Sequence, residues 1–101
     1  MAKNVIWSKQ ALKDRREILQ NWIERNSSKI YSVKLNNLFV DAVQLIASHP
    51  NIGIRTDFEN VRGKFVKDYY IFYEVKELSI NILSIWDCRQ NPSKLKGKII
   101  I

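Results

Sequence analysis

The sequence has few of the residues that build disulfides, metal sites and phosphate-binding loops. Its 101 residues include one cysteine, one histidine, three glycines and two prolines. A single cysteine cannot close an intramolecular disulfide, which fits a reducing cytoplasm. Cys88 and His49 cannot by themselves supply the four ligands of a tetrahedral zinc site. The scattered glycines exclude a P-loop or a dinucleotide-binding loop, so the sequence predicts neither a metal nor a cofactor.

Long apolar runs are also missing. No segment approaches the roughly 20 consecutive apolar residues that span a bilayer. The apolar run near the start, Val5–Trp7, is too short for the core of a signal peptide. We therefore expect a cytoplasmic protein without a membrane partner. The length is that of one small domain, which we assign to residues 1–101.

Acidic residues are fewer than basic ones. Ten Asp and Glu against 17 Lys and Arg give a formal net charge of +7, and the sequence pI is about 9.7. Because 46% of the residues are hydrophobic, the chain can form one compact core. The positive excess favours a polyanionic partner, either a nucleic acid or an acidic protein.

Two helices are predicted in the first half of the chain. Ser8 follows the β-favouring run Val5–Trp7 and can accept a hydrogen bond from the free N–H groups of a following helix. Apolar residues then recur with helical spacing and predict an amphipathic helix over residues 9–25. A second helix follows Asn26-Ser27-Ser28 and ends at His49-Pro50, because proline disfavours the helical conformation in the residue before it. The predicted apolar spine of the second helix consists of Ile30, Val33, Leu38, Ala42, Leu45 and Ile46.

Three strands are predicted in the second half, over residues 61–66, 69–75 and 79–86. The last two are rich in aromatic and β-branched residues and apolar on both faces, so we expect them in the middle of a sheet with the helices on one side. The first strand, at Val5–Trp7, is expected at an edge. The predicted fold is therefore α+β, with an N-terminal strand, an antiparallel two-helix hairpin and a three-stranded antiparallel sheet.

Basic residues alternate with tyrosines on these strands. Antiparallel pairing is expected to bring several of them together in one shallow hollow. Guanidinium groups bind phosphate and aromatic rings stack on unpaired bases, so the set is a candidate RNA-binding surface. The alternative is structural, with solvated cations at a strand edge and half-buried tyrosines. The set comprises Arg62, Lys64, Lys67, Tyr69, Tyr70, Tyr73 and Arg89.

A second candidate site pairs Cys88 with His49 as nucleophile and base. The structural alternatives are a small buried cysteine at a strand end and a histidine at a helix C-terminus.

The order of these elements resembles the toxin subunits of the bacterial RelE/ParE superfamily. Val5–Ser8 is similar to that family's entry into its first helix, and His49-Pro50 with Gly53 resembles its turn after the second. Val61-Arg62 followed by residues 69–75 is similar to its central hairpin, and residues 86–95 resemble the ending of one subgroup.

This resemblance implies the toxin of a type II toxin–antitoxin pair of the plasmid stabilisation type, neutralised by an acidic segment of a cognate antitoxin. Two activities occur among such toxins: metal-independent cleavage of messenger RNA on the ribosome, and inhibition of DNA gyrase without cleavage of any bond. The nuclease would use Arg62 and Arg89 on phosphate, Lys64 beside them and Tyr70 as general acid. The sequence departs from the nuclease pattern, because Tyr70 stands where an arginine is usual and no tyrosine or histidine follows Tyr73.

Two alternatives to the nuclease remain open. One is a toxin that binds gyrase through a basic helical hairpin, around Lys9, Lys13, Arg15 and Arg16. The other is a decayed toxin that retains only antitoxin binding. The tail from Lys94 to Ile101 is predicted to be extended, either against its own sheet or against a partner.

Overall fold

The computed structural model describes residues 2–89, so the predicted extended tail lies outside the described residues. Two helices, α1 (Lys9–Asn26) and α2 (Ile30–Ser48), lie between a first strand β1 (Asn4–Trp7) and four later ones. The later strands are β2 (Ile54–Arg55), β3 (Val61–Val66), β4 (Tyr69–Val75) and β5 (Ser79–Asp87). They form one sheet in the order β1-β5-β4-β3-β2.

The predicted α+β fold is confirmed, and its sheet is larger than predicted. β1 lies at an edge and β4 and β5 lie inside the sheet, as expected, but β1 pairs with β5 in parallel. The two-residue strand β2 was not predicted, because Ile54-Arg55 is too short to show alternation; it pairs with Gly63 and Arg62 of β3. The sheet of residues 2–89 is therefore mixed and has five strands.

The first helix begins and ends at serines that the sequence singles out. The Ser8 hydroxyl accepts a hydrogen bond from the Ala11 N–H (3.0 Å) and caps α1. Ser27 adopts a left-handed conformation (φ 50°) and donates its N–H to the Ile23 carbonyl, which ends the helix. The helices run antiparallel, since Arg15 bonds Asn36 (2.8 and 2.6 Å) and, one turn further along α1, the Leu19 carbonyl accepts from Ser32 (3.0 Å).

The main core lies between the hairpin and one face of the sheet. Leu35, Phe39 and Ile46 of α2 are fully buried, and Ile71, Tyr73, Ile80 and Ile82 are fully buried on the strands facing them. A smaller cluster of Val61, Phe72 and Trp86 lies on the other face. No helix of residues 2–89 packs there, because the contacts of α1 and α2 belong to the main core.

A side-chain clamp joins α1 to β5 where β1 ends. A bulge places Leu83 as an extra residue in β5 opposite the step from Phe72 to Tyr73. The Ser8 hydroxyl donates to the Leu83 carbonyl (2.8 Å), and the buried Asp14 carboxylate accepts from the Ile85 N–H (3.0 Å). These two contacts fix α1 on the sheet.

Candidate functional site

The register of β3 and β4 decides which face each candidate residue occupies, because residues directly opposite each other on neighbouring strands share a face. Arg62 and Lys64 are opposite Tyr73 and Ile71, whose side chains belong to the core under the helices. Both cations therefore lie on the helix-bearing side of the sheet. Tyr70 is opposite Phe65 on one side and Trp86 on the other, on the face without helices.

Arg62 fixes the turn after α2. Its Nη1 donates to the carbonyl oxygens of Gly53 (2.9 Å) and Asn51 (3.3 Å). Beside it, the Tyr73 hydroxyl donates to the Pro50 carbonyl (2.7 Å) and accepts from the Gly53 N–H (2.9 Å). Burial raises the pKa of this phenol. Arg62 thus binds the backbone of its own chain.

Arg89 lies at the opposite end of the sheet and is held by an ion pair. Its Nε and Nη2 donate to the two carboxylate oxygens of Asp87 (3.0 and 2.9 Å). Nη2 also reaches the Tyr69 hydroxyl (3.4 Å), which accepts from the Trp22 indole N–H (2.7 Å). The guanidinium hydrogen bonds lower the pKa of Asp87, and the same pair raises the pKa of Arg89.

Tyr70 belongs to an aromatic row on the uncovered face. Its ring makes edge-to-face contacts with Phe65 and Phe72 at centroid distances of 4.4 and 4.6 Å. Gly63 leaves room for this ring, since a Cβ there would lie 1.8 Å from Tyr70 Cε2. Burial raises the pKa of the phenol, so it stays protonated at neutral pH.

The four residues do not meet. Tyr70 is on the opposite face from Arg62 and Lys64, and Arg62 is separated from the Arg89 end by the four-residue step from Tyr73 to Tyr69. At about 3.3 Å per residue, this step is about 13 Å. The expectation that these four share one hollow is therefore wrong, although Tyr69 and Arg89 of the larger set do lie in contact (3.4 Å). Whether any of the four acts in catalysis stays a prediction.

Cys88 and His49 also lie at different ends. His49 directly follows α2, beside the turn whose Pro50 carbonyl accepts from Tyr73. Cys88 lies at the other end of the sheet, where its N–H donates to the carbonyl of Asp68, the residue before β4 (2.8 Å). Cys88 is exposed, so the alternative of a small buried cysteine is wrong. Partial desolvation of its sulfur raises the pKa of the thiol, which disfavours the thiolate form.

The hairpin presents a different kind of surface. Lys9, Lys13 and Arg16 are exposed on α1. Arg15 differs from them: it bonds Asn36 and stacks over the Trp7 ring, with its guanidinium carbon 5.1 Å from the centroid. Its main role is therefore to join α1, α2 and β1.

Three residues assigned to the spine of α2 lie outside the core. Ile30, Val33 and Leu45 are 81%, 57% and 40% exposed. The spacing of apolar residues predicts that they belong to the spine. Only the position of α1 against α2 shows that they face solvent. Leu12 of α1 is also 48% exposed.

The sequence matches the profile of the ParE toxin of the type II toxin–antitoxin system parDE over residues 5–92. The chain belongs to the ParE toxin family. No curated protein matches it significantly.

Two solved structures share the ParE-type fold. A chain of the chromosomal ParDE system of P. aeruginosa superposes with a TM-score of 0.72 at 19% identity, covering 83% of this chain and 94% of its own. A mutant of the E. coli toxin RelE in its free state gives a TM-score of 0.65 at 14% identity, covering 99% and 96%. At these identities the similarity concerns the fold.

Two further features of this ParE-family chain concern residues 2–89. No group of three or more His, Cys, Asp or Glu residues is arranged there to hold a metal ion. Within the same range, neither α1 nor α2 combines the length and the hydropathy that a bilayer span requires.

The Asp87–Arg89 pair is expected to make a small pH-dependent contribution to stability. Because the folded-state pKa of Asp87 is lowered, the contribution is present above the unfolded value of about 3.9 and is lost as the pH falls through the folded pKa. Asp87→Asn should lower the free energy of unfolding by under about 1 kcal/mol at pH 6, since the pair is partly exposed. Urea unfolding at pH 6 and pH 3 measures the difference, with the exposed Asp41→Asn as control. A cost that grows on acidification would contradict the expectation.

Proposed function

We propose that this ParE-family chain is a toxin that acts by binding DNA gyrase without cleaving a bond, and that a cognate acidic antitoxin neutralises it. The observation that carries the choice is the separation of Arg62, Lys64, Tyr70 and Arg89 over two faces and two ends of the sheet. Both messenger RNA cleavage and gyrase inhibition are expected in the RelE/ParE superfamily, so the geometry of these four groups decides between the two proposals.

Cleavage of RNA by its own 2′-hydroxyl requires three functions around one phosphate: a base, an acid for the leaving oxygen and cations for the developing charge. Arg62 donates to backbone carbonyls and Arg89 binds Asp87, so both guanidinium groups have protein partners. Tyr70 cannot share a phosphate with either, because it is on the other face of the sheet. This arrangement supports binding rather than catalysis.

The helical hairpin supports binding of a large acidic partner surface. Residues 9–48 contain seven basic and four acidic residues, a balance of +3, whereas residues 50–89 contain six of each and are neutral overall. Lys9, Lys13 and Arg16 are exposed on this hairpin. The positive charge of residues 9–89 is therefore concentrated where a partner can reach it.

An antitoxin partner is supported by the family and by charge. The family profile is that of a toxin–antitoxin system, and the P. aeruginosa structure is of a ParDE system. A chain with a net charge of +7 favours association with an acidic protein.

The proposal is tested by comparing purified gyrase with translated messenger RNA. The purified chain should inhibit gyrase supercoiling, and primer extension after induced expression should show intact transcripts. The double change Lys9→Glu and Lys13→Glu should raise the concentration for half-inhibition about tenfold, which corresponds to about 1.4 kcal/mol. The matched control is Lys67→Glu with Lys76→Glu, the same charge change at exposed positions just before and just after β4, which should alter it less than twofold.

Two results would overturn the proposal in different directions. Ribosome-dependent cuts that disappear on Arg62→Ala or Arg89→Ala would establish the nuclease, with Lys64 and Tyr70 as the next residues to test. Absence of both activities together with tight antitoxin binding would identify a decayed toxin.

A further inference from the structure

The sheet face without helices is largely apolar where β3, β4 and β5 lie side by side. A sheet face that meets only water is usually polar. Here Glu74 and Ser84 are the polar residues among the side chains that β3 to β5 place there, which are Val61, Phe65, Tyr70, Phe72, Glu74, Ser84 and Trp86. Phe65, at the margin, is 57% exposed. The composition is that of a face that another segment of chain covers.

The described chain ends at one corner of this face. Trp86 lies near the end of β5, with Tyr70 and then Phe65 beside it on the next two strands. Arg89 follows three residues later, so residues 90–101 begin at this corner. From Trp86 to Val61 the face extends over two strand spacings and four residues, about 16 Å. Twelve extended residues reach about 40 Å, which is more than enough to cross it.

The sequence of residues 90–101 has the pattern that such a face requires. Lysines alternate with apolar residues or glycine in the run Lys94-Leu95-Lys96-Gly97-Lys98-Ile99. Successive side chains of an extended segment point to opposite sides, so Leu95, Ile99 and Ile101 would share one side and the three lysines the other. Residues 93–101 lie beyond the part of the chain that matches the ParE profile, so this pattern is not a feature of that profile.

We propose that residues 90–101 fold back in an extended conformation over the helix-free face of their own sheet, with Leu95 and Ile99 on the aromatic side chains and the lysines in water. A segment tethered three residues after Trp86 has an effective concentration in the millimolar range. Two copies with a net charge of +7 repel each other, which disfavours a second copy as the cover. The covering of this face is independent of which target the chain inhibits.

Limited digestion of the full chain with trypsin, followed by mass spectrometry, tests the contact. Cleavage after Lys94 requires the segment to leave the sheet, so its rate follows the population of the open form. The wild-type chain should be cut there at least about tenfold more slowly than a peptide of residues 90–101. Ile99→Asp places a charge on the apolar side and should speed this cut about tenfold. Ile100→Asp is the matched control on the lysine side and should change it less than twofold.

A change on the sheet provides the reciprocal measurement. Phe65→Ser should speed the cut after Lys94 about fivefold, whereas Leu12→Ser, at a side chain on α1 that is 48% exposed, should change it less than twofold. Cleavage after Lys34, within α2, reports unfolding of the whole domain and should stay the same in every variant. If Ile99→Asp also speeds that cut, Ile99→Ala decides, with an expected threefold increase after Lys94 alone.

Four results would overturn the inference. The wild-type chain and the peptide could be cut after Lys94 at equal rates, or Ile99→Asp and Ile100→Asp could have equal effects. Protection that grows with protein concentration would identify a second copy as the cover. Protection that appears only with a cognate antitoxin would identify that partner instead. None of these results bears on gyrase inhibition, which the supercoiling assay measures separately.

Discussion

Replacing Asp14 by alanine is expected to lower the free energy of unfolding by about 3 kcal/mol, since a buried hydrogen bond to a charged group contributes about 1.5–3 kcal/mol and the lost carboxylate also leaves a small cavity. Asp14 is 5% exposed. Its carboxylate accepts from the Ile85 N–H (3.0 Å) and from the Gln10 side-chain amide (2.8 Å). Both partners are donors, so a residue without an acceptor cannot replace it.

The position of this contact explains the size of the expected effect. β1 pairs with β5 only from Ser79 to Ile82. Beyond the bulge, β1 no longer pairs with β5. There the carboxylate of Asp14, on α1, accepts the hydrogen bond of the Ile85 N–H. Its loss would therefore weaken the attachment of α1 to the sheet as well as one hydrogen bond.

Urea denaturation at neutral pH measures the Asp14 effect. Asp14→Asn keeps one acceptor oxygen but adds an amide donor, so its cost should be roughly 2 kcal/mol, between those of the wild type and alanine. Asp41→Ala is the matched control, because Asp41 is exposed on α2; it should alter stability by about 0.5 kcal/mol or less. An Asp14→Ala cost no larger than that of Asp41→Ala would show that the clamp contributes nothing.

Gly53→Ala is expected to destabilise the protein by about 2–3 kcal/mol, the cost of overpacking a buried site. A Cβ at Gly53 would lie 2.5 Å from the Tyr73 hydroxyl and 2.8 Å from the Gly63 carbonyl oxygen. Tyr73 is fully buried and its hydroxyl is bonded to both Pro50 and Gly53, so it cannot move aside without losing these bonds. The Gly63 carbonyl is backbone in the middle of a paired strand and cannot move either.

Gly63→Ala provides the comparison for Gly53→Ala. The three atoms nearest to its Cβ would all belong to the end of the Tyr70 ring, at 1.8 to 2.3 Å. That ring lies on the face without helices, beside the 57% exposed Phe65, and can turn outward. We expect a cost of about 1 kcal/mol, at the lower end of overpacking effects. Thermal and urea unfolding of both variants test the order, and a larger cost for Gly63→Ala would show that the uncovered face is packed more rigidly than the turn.

Most of the fold could be predicted from local sequence chemistry. Ser8, the helical spacing of residues 9–25 and Pro50 fix the ends of the hairpin, because capping and proline geometry act within a few residues. β4 and β5 could be predicted as interior strands because they are apolar on both faces. The parallel pairing of β1 and the two-residue strand β2 could not be predicted, because each depends on a partner distant in sequence.

The candidate site shows the same division. The sequence identifies Arg62, Lys64, Tyr70 and Arg89 as chemically able groups, but a strand alternates its side chains between faces, and only the register with β4 assigns each face. The one-residue alternation that separates Lys64 from Phe65 also places Lys64 and Tyr70 on opposite sides. Likewise, the spacing of Val33 in α2 predicts a core residue, and only the packing of α1 against α2 shows that it is exposed.

By itself the sequence determined the helical hairpin, the two interior strands, the excess of positive charge and the kinship with RelE/ParE toxins, since these depend on neighbouring residues and on composition. The tertiary structure decided which cations share a face, that Arg62 and Arg89 bind groups of their own chain, and that Ile30 and Val33 of the predicted spine are exposed. These properties arise from contacts between distant segments, which the spacing of residues along one segment does not encode.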